Sequence, residues 1–132
     1  MEVQVSVSDE VVLEQAQKLS VQVSSEEQAR YVVDAVGSRL AAAALGLRDT
    51  RTVNSWAHGG PIKGPLHEHR LQALFRVTYA VKERYGPAVA AAFLRGSNPA
   101  LGNRAPMTVL ANESPADAEQ ATIAAVETLF AS

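Results

Sequence analysis

Cysteine is absent from this chain, which removes disulfides, thiolate zinc sites, iron–sulfur clusters and cysteine nucleophiles together. Long apolar runs are absent too: a stretch such as Ala88–Leu94 falls far short of the roughly 20 residues that cross a bilayer. The opening Met1–Ser6 carries Glu2 where a secretory leader needs positive charge, and no apolar h-region follows. A cytoplasmic, soluble protein is the expectation. With 132 residues there is room for one compact domain or two small helical modules sharing a core, and none for a barrel enzyme.

What is present is ordinary in amount and uneven in placement. Apolar residues make up 47% and charged residues 20% of the chain, enough for a packed core. Residues 1–29 set Lys18 against Glu2, Asp9, Glu10, Glu14, Glu26 and Glu27, a net of −5. Residues 30–76 carry Arg30, Arg39, Arg48, Arg51, Lys63, Arg70 and Arg76 against Asp34, Asp49 and Glu68, a net of +4. The remainder is close to neutral. Positive charge is therefore confined to one stretch, where it could meet phosphates.

Periodicity predicts an all-α fold. Val3–Val7 alternates at the strand period, but one short strand has no partner, so an arm or dimer contact is its expected role. A short helix is expected from Ser8 to about Leu19. Ser24 with Glu27 forms a capping-box pattern opening a stripe of Ala29, Val32, Val33 and Val36. Gly37 ends or bends that helix, an alanine-rich helix over Leu40–Leu45 follows, and Gly46 closes it. Asp49 is expected to cap a third short helix reaching Ala57, with Val53 and Trp56 inward.

His58–Pro65 is a connector. Leu66–Tyr85 is the longest helical candidate, stopped by Gly86-Pro87, and a helix from Pro87 to Leu94 is closed by Gly96. A polar turn over Ser97–Arg104, a brief helix from Pro106 and a last helix capped at Ser114 complete the chain. No repeat or heptad series is found.

Few patterns offer chemistry. His67 and His69 lie two residues apart, about 200° around a helix, so they point away from each other and a metal site is not expected. Neither a phosphate loop nor a nucleophile elbow can be written, and no cofactor and no catalytic residue are expected.

The segment Leu40–Gly59 differs, because a helix, a glycine turn and a second helix rich in hydroxyl, amide and guanidinium groups follow the helix-turn-helix plan. Thr50, Arg51, Asn54 and Ser55 would face outward beside Arg48, with donors and acceptors suited to bases and phosphates. An ordinary αα-hairpin with a solvated face fits the same spacing.

Residues 45–59 resemble the helix-turn-helix of Xre-type antitoxins, with Gly46 to Trp56 one residue longer than is typical. The stretch Gly96, Asn98, Pro99, Leu101, Gly102, Arg104 and Pro106 resembles the G-x-N-P-x-L-G-x-R-x-P signature of the Xre/MbcA/ParS toxin-binding domain. Together the two cover about residues 30–112. The resemblance implies an antitoxin of a type II pair that blocks a RES-domain, NAD-consuming toxin, often represses its own operon and acts as a homodimer within the complex. The alternative is a free-standing Xre-like regulator of transcription.

On this reading residues 1–23 are an N-terminal segment, 24–60 a helix-turn-helix-like region and 61–132 a helical toxin-binding domain. Arg95, Asn98, Leu101 and Arg104 are the expected toxin contacts. Leu129, Phe130 and the Ser132 carboxylate could fill a pocket on the partner, or Leu129 and Phe130 could fold back on the chain's own core.

Overall fold

A computed structural model of the chain describes residues 2–132, with side chains described from Asp9 onward. The fold is all-α, with eight helices and no strand among the described residues. They are α1 (Glu2–Gln22), α2 (Ser25–Val36), α3 (Ser38–Ala44), α4 (Arg51–Ala57), α5 (Pro65–Tyr85), α6 (Pro87–Arg95), α7 (Pro106–Asn112) and α8 (Pro115–Ala131), with a 3-10 turn at Pro99–Leu101.

Local chemistry sets the boundaries. Ser24 Oγ accepts from the Glu27 backbone N–H at 3.2 Å to open α2, and Ser114 Oγ accepts from Asp117 N–H at 3.4 Å to open α8. Pro65, Pro87 and Pro106 start α5, α6 and α7, positions at which the missing proline N–H costs no helical bond. Gly37 separates α2 from α3 with φ +91°, and a Cβ there would touch nothing within 4 Å. The backbone turn, rather than crowding, requires glycine.

The N-terminus departs from expectation. Val3–Val7 is the beginning of α1 and not a strand; with no second strand to accept its ladder bonds, the segment satisfies its backbone inside a helix. The dimer contact expected of it falls on side chains outside the described residues.

One core runs through the whole chain, from Ala16 of α1 to Phe130 of α8. α5 is its axis, packed by α1, α2, α6 and α8 and burying Leu71, Leu74, Phe75, Val77 and Val81. The three sequence segments therefore share one hydrophobic interior. Gln28 secures the joint between α1 and α2: its amide Nε2 is buried and donates to the Ser20 and Val23 carbonyls at 2.9 and 3.0 Å, satisfying backbone oxygens that the end of α1 leaves open.

Candidate functional site

The Gly96–Pro106 signature folds into a small, self-tied loop. Asn98 accepts the Ala100 N–H through its side-chain Oδ1 at 2.9 Å, while its backbone N–H donates to the Arg104 carbonyl at 3.1 Å. Gly102 and Asn103 both have φ +66°, the left-handed region that glycine enters freely and asparagine tolerates. These two residues reverse the chain, so that Asn98 and Arg104 face each other as an isolated antiparallel bridge.

Arg104 locks the turn from outside. Its Nε donates to the Leu101 carbonyl at 3.0 Å, and its Nη1 lies 3.2 Å from Glu113 Oε2. The guanidinium thus holds its own loop, yet the side chain remains half exposed with donors left over. Arg95, at the end of α6, is exposed, and no acid among the described residues lies within ion-pair distance of it.

Two expected contacts are corrected by burial. Leu101 is only 4% exposed and plugs the loop onto the core. Phe130 is 8% exposed, its ring edge-on to Tyr85 at 5.8 Å between centroids. Leu129 is half-buried against the same core. The apolar stripe of α8 thus folds back on the chain's own interior, where it removes more area from water than solvent exposure would allow. Ser132 is exposed, with its hydroxyl donating to the Leu129 carbonyl at 2.7 Å.

The helix-turn-helix-like segment is α3, a six-residue connection and α4, with α4 lying chiefly against α2. Val53, Trp56 and Ala57 are buried, and the indole of Trp56 sits 5.6 Å from the His67 ring centroid. Arg48, Arg51 and Ser55 are exposed and Thr50 is half-buried. Exposed Thr52 joins them, a position the sequence reading passed over although it lies one residue from Arg51.

Asn54 departs from the expected outward face. Its Oδ1 accepts the Ser38 hydroxyl at 2.6 Å, which turns it toward the first turn of α3. Asp49 does not occupy the N-cap position of α4, which falls on Thr50. It nevertheless caps the helix, its Oδ1 accepting Arg51 N–H at 3.0 Å while Oδ2 binds Arg51 Nη2 at 2.8 Å. These hydrogen bonds to Arg51 hold the Asp49 carboxyl below the usual carboxylate range and push the Arg51 guanidinium up.

Beside α4 lies a groove of about 420 Å³ whose lining includes Arg51, Thr52, Ser55, Lys63 and His67. Two cationic side chains, two hydroxyls and an imidazole can together accept a phosphate backbone. No group of three or more His, Asp or Glu side chains among the described residues is placed to hold a metal ion, and no helix is long and apolar enough to cross a membrane. Comparisons with protein-family models, with curated proteins and with solved structures find no match for this chain.

Proposed function

We propose that this chain is an antitoxin that binds and inhibits a RES-domain, NAD-consuming toxin, without catalysing a reaction itself. The observation that carries the reading is the construction of the Gly96–Pro106 loop. Asn98 caps its turn, Leu101 anchors it, Gly102 reverses it and Arg104 clamps it. A loop already held by these bonds loses little conformational freedom when a partner docks. Arg95, next to Gly96, and the outer edge of Arg104 supply exposed cationic donors, while Asn98 serves mainly to shape the loop.

Autoregulation forms the second part of the reading. Arg48, Arg51, Thr52 and Ser55 on and before α4, with Lys63 and His67 nearby, form a polar, basic face that suits operator DNA. The same face supports the alternative of a free-standing regulator.

The test is to look for a gene for a RES-domain protein beside its own, to purify the full chain with that protein and to follow NAD consumption. Near-complete inhibition at equimolar ratio supports the antitoxin reading. Unimpeded NAD consumption alongside tight binding of its own promoter moves the assignment to the free-standing regulator.

A further inference from the structure

We infer that the groove on the α3, α6 and α7 side of the fold receives a short segment of the toxin in which an apolar side chain stands beside a carboxylate. This rests on the antitoxin reading above and specifies what the partner brings to it. The groove encloses about 500 Å³ and is lined by Val36, Leu40, Ala43 and Met107 together with Arg39 and Arg95. Clefts of about 300–1,000 Å³ enclose small ligands, so the space suits a few residues of a peptide rather than a flat domain surface.

The lining sets the chemistry of the occupant. Leu40 is buried, Val36 and Met107 are half-buried and Ala43 is exposed, so only a methyl group stands over the apolar strip at that point of α3. Arg30, Arg51, Arg76, Arg84 and Arg104 are each paired with an acid. Arg39 and Arg95 are exposed, and neither has an ion-pair partner among the described residues. They come from different helices, α3 and α6, and border the same groove. A guanidinium fork left without an acceptor is complementary to a carboxylate, and the aliphatic lining is removed from water only under an apolar side chain. A DNA backbone brings anions and no apolar surface, so it would leave Val36, Leu40 and Met107 uncovered.

Position ties the groove to the signature loop. Arg95 directly precedes Gly96 and Met107 directly follows Pro106, so the loop leaves the rim of the groove and returns to it. A partner seated on the loop reaches the groove without crossing the molecule.

Isothermal titration calorimetry of the full chain with the RES-domain protein found beside its gene, run alongside NAD consumption, tests this. Arg39→Glu and Ala43→Trp leave the loop untouched; the first reverses a charge and the second fills the groove. Each is expected to lose at least about tenfold in toxin affinity while keeping the parent's circular dichroism. Arg39→Lys retains the charge and presents an amine, which a water-soluble carbodiimide couples to a carboxylate in contact with it. Mass spectrometry is expected to find position 39 joined to an Asp, a Glu or the terminal carboxylate of the toxin, beside an apolar residue.

A parent that inhibits the toxin while either variant, still folded, binds it as tightly overturns this inference and leaves the antitoxin reading standing. A parent that neither binds nor inhibits the toxin overturns both. Coupling of position 39 to no toxin carboxylate overturns the chemistry assigned to the groove. Variants that keep toxin affinity but weaken promoter binding, or that shift the sedimentation of the free chain, hand the groove to DNA or to a second copy and overturn the inference as well.

Discussion

The Ser38 hydroxyl donates to Asn54 Oδ1 at 2.6 Å, tying the first turn of α3 to the middle of α4. A side chain with base-reading chemistry is thereby committed to holding two helices together. Asn54→Ala removes the acceptor from a half-buried pair, and a loss of about 1 kcal/mol in urea unfolding is expected. Promoter binding by the folded fraction should change little.

Arg51→Ala acts differently. Its side chain is 90% exposed and held only by Asp49, so stability should stay within about 0.5 kcal/mol of the parent. DNA affinity, measured by fluorescence anisotropy at fixed salt, should fall by about 1–3 kcal/mol if Arg51 reaches a base or phosphate. Unchanged affinity for the promoter would remove α4 from the interface.

Trp56 is 3% exposed and seals α4 onto the interior. Trp56→Ala should cost about 3–5 kcal/mol through lost transfer energy and the cavity left behind. Chemical denaturation followed by far-ultraviolet circular dichroism reads this without relying on the lost fluorophore. A variant as stable as the parent would place the indole outside the core.

Arg104→Ala removes both the bond to the Leu101 carbonyl and the pair with Glu113. Because the guanidinium is half exposed, the stability loss should be only about 1 kcal/mol. Toxin inhibition should fall by at least about tenfold as the loop loosens. Leu101→Ala should instead cost about 2–5 kcal/mol of stability. Inhibition that tracks unfolding alone in both variants would deny the loop a role at the interface.

The Tyr31 phenol resists ionisation, first because burial disfavours the phenolate and then because its hydroxyl donates to Glu83 at 2.9 Å. Its folded-state pKa is raised above the ordinary phenol value of about 10. The contribution is therefore complete below that value and declines as pH rises past it. Urea unfolding between pH 8 and pH 11 should show a shallower alkaline decline for Tyr31→Phe than for the parent. Parallel declines would place the effect elsewhere, including on Tyr79, whose phenol burial also pushes up.

Helix boundaries are legible because they rest on short-range chemistry. The Ser24–Glu27 and Ser114–Asp117 caps, the Gly37 break and the proline starts each involve residues a few positions apart. The signature loop is legible for the same reason, since Asn98, Gly102 and Arg104 bond within one turn. What is not legible depends on elements distant along the chain. Asn54 faces inward because α3 delivers Ser38 from sixteen positions earlier, and Phe130 is covered because α5 delivers Tyr85. Gln28 gives no signal of its burial in the sequence, because the two carbonyls it binds come from the end of α1. Val3–Val7 misleads because period-two alternation in so short a segment cannot reveal whether a pairing strand exists.

The central position of α5 also fixes the order in which this chain can become itself. α1 and α2 precede it and α8 follows it, yet each buries its apolar face mainly or partly against that one helix. During synthesis α2, α3 and α4 have one another to pack against, but α1 meets its main partner only once α5 has emerged, and α5 itself stays open on one side until α8 follows. Closure of the shared interior is thus deferred until α8 has been made, leaving the apolar face of α5 open to chaperones and proteases while the nascent chain lengthens.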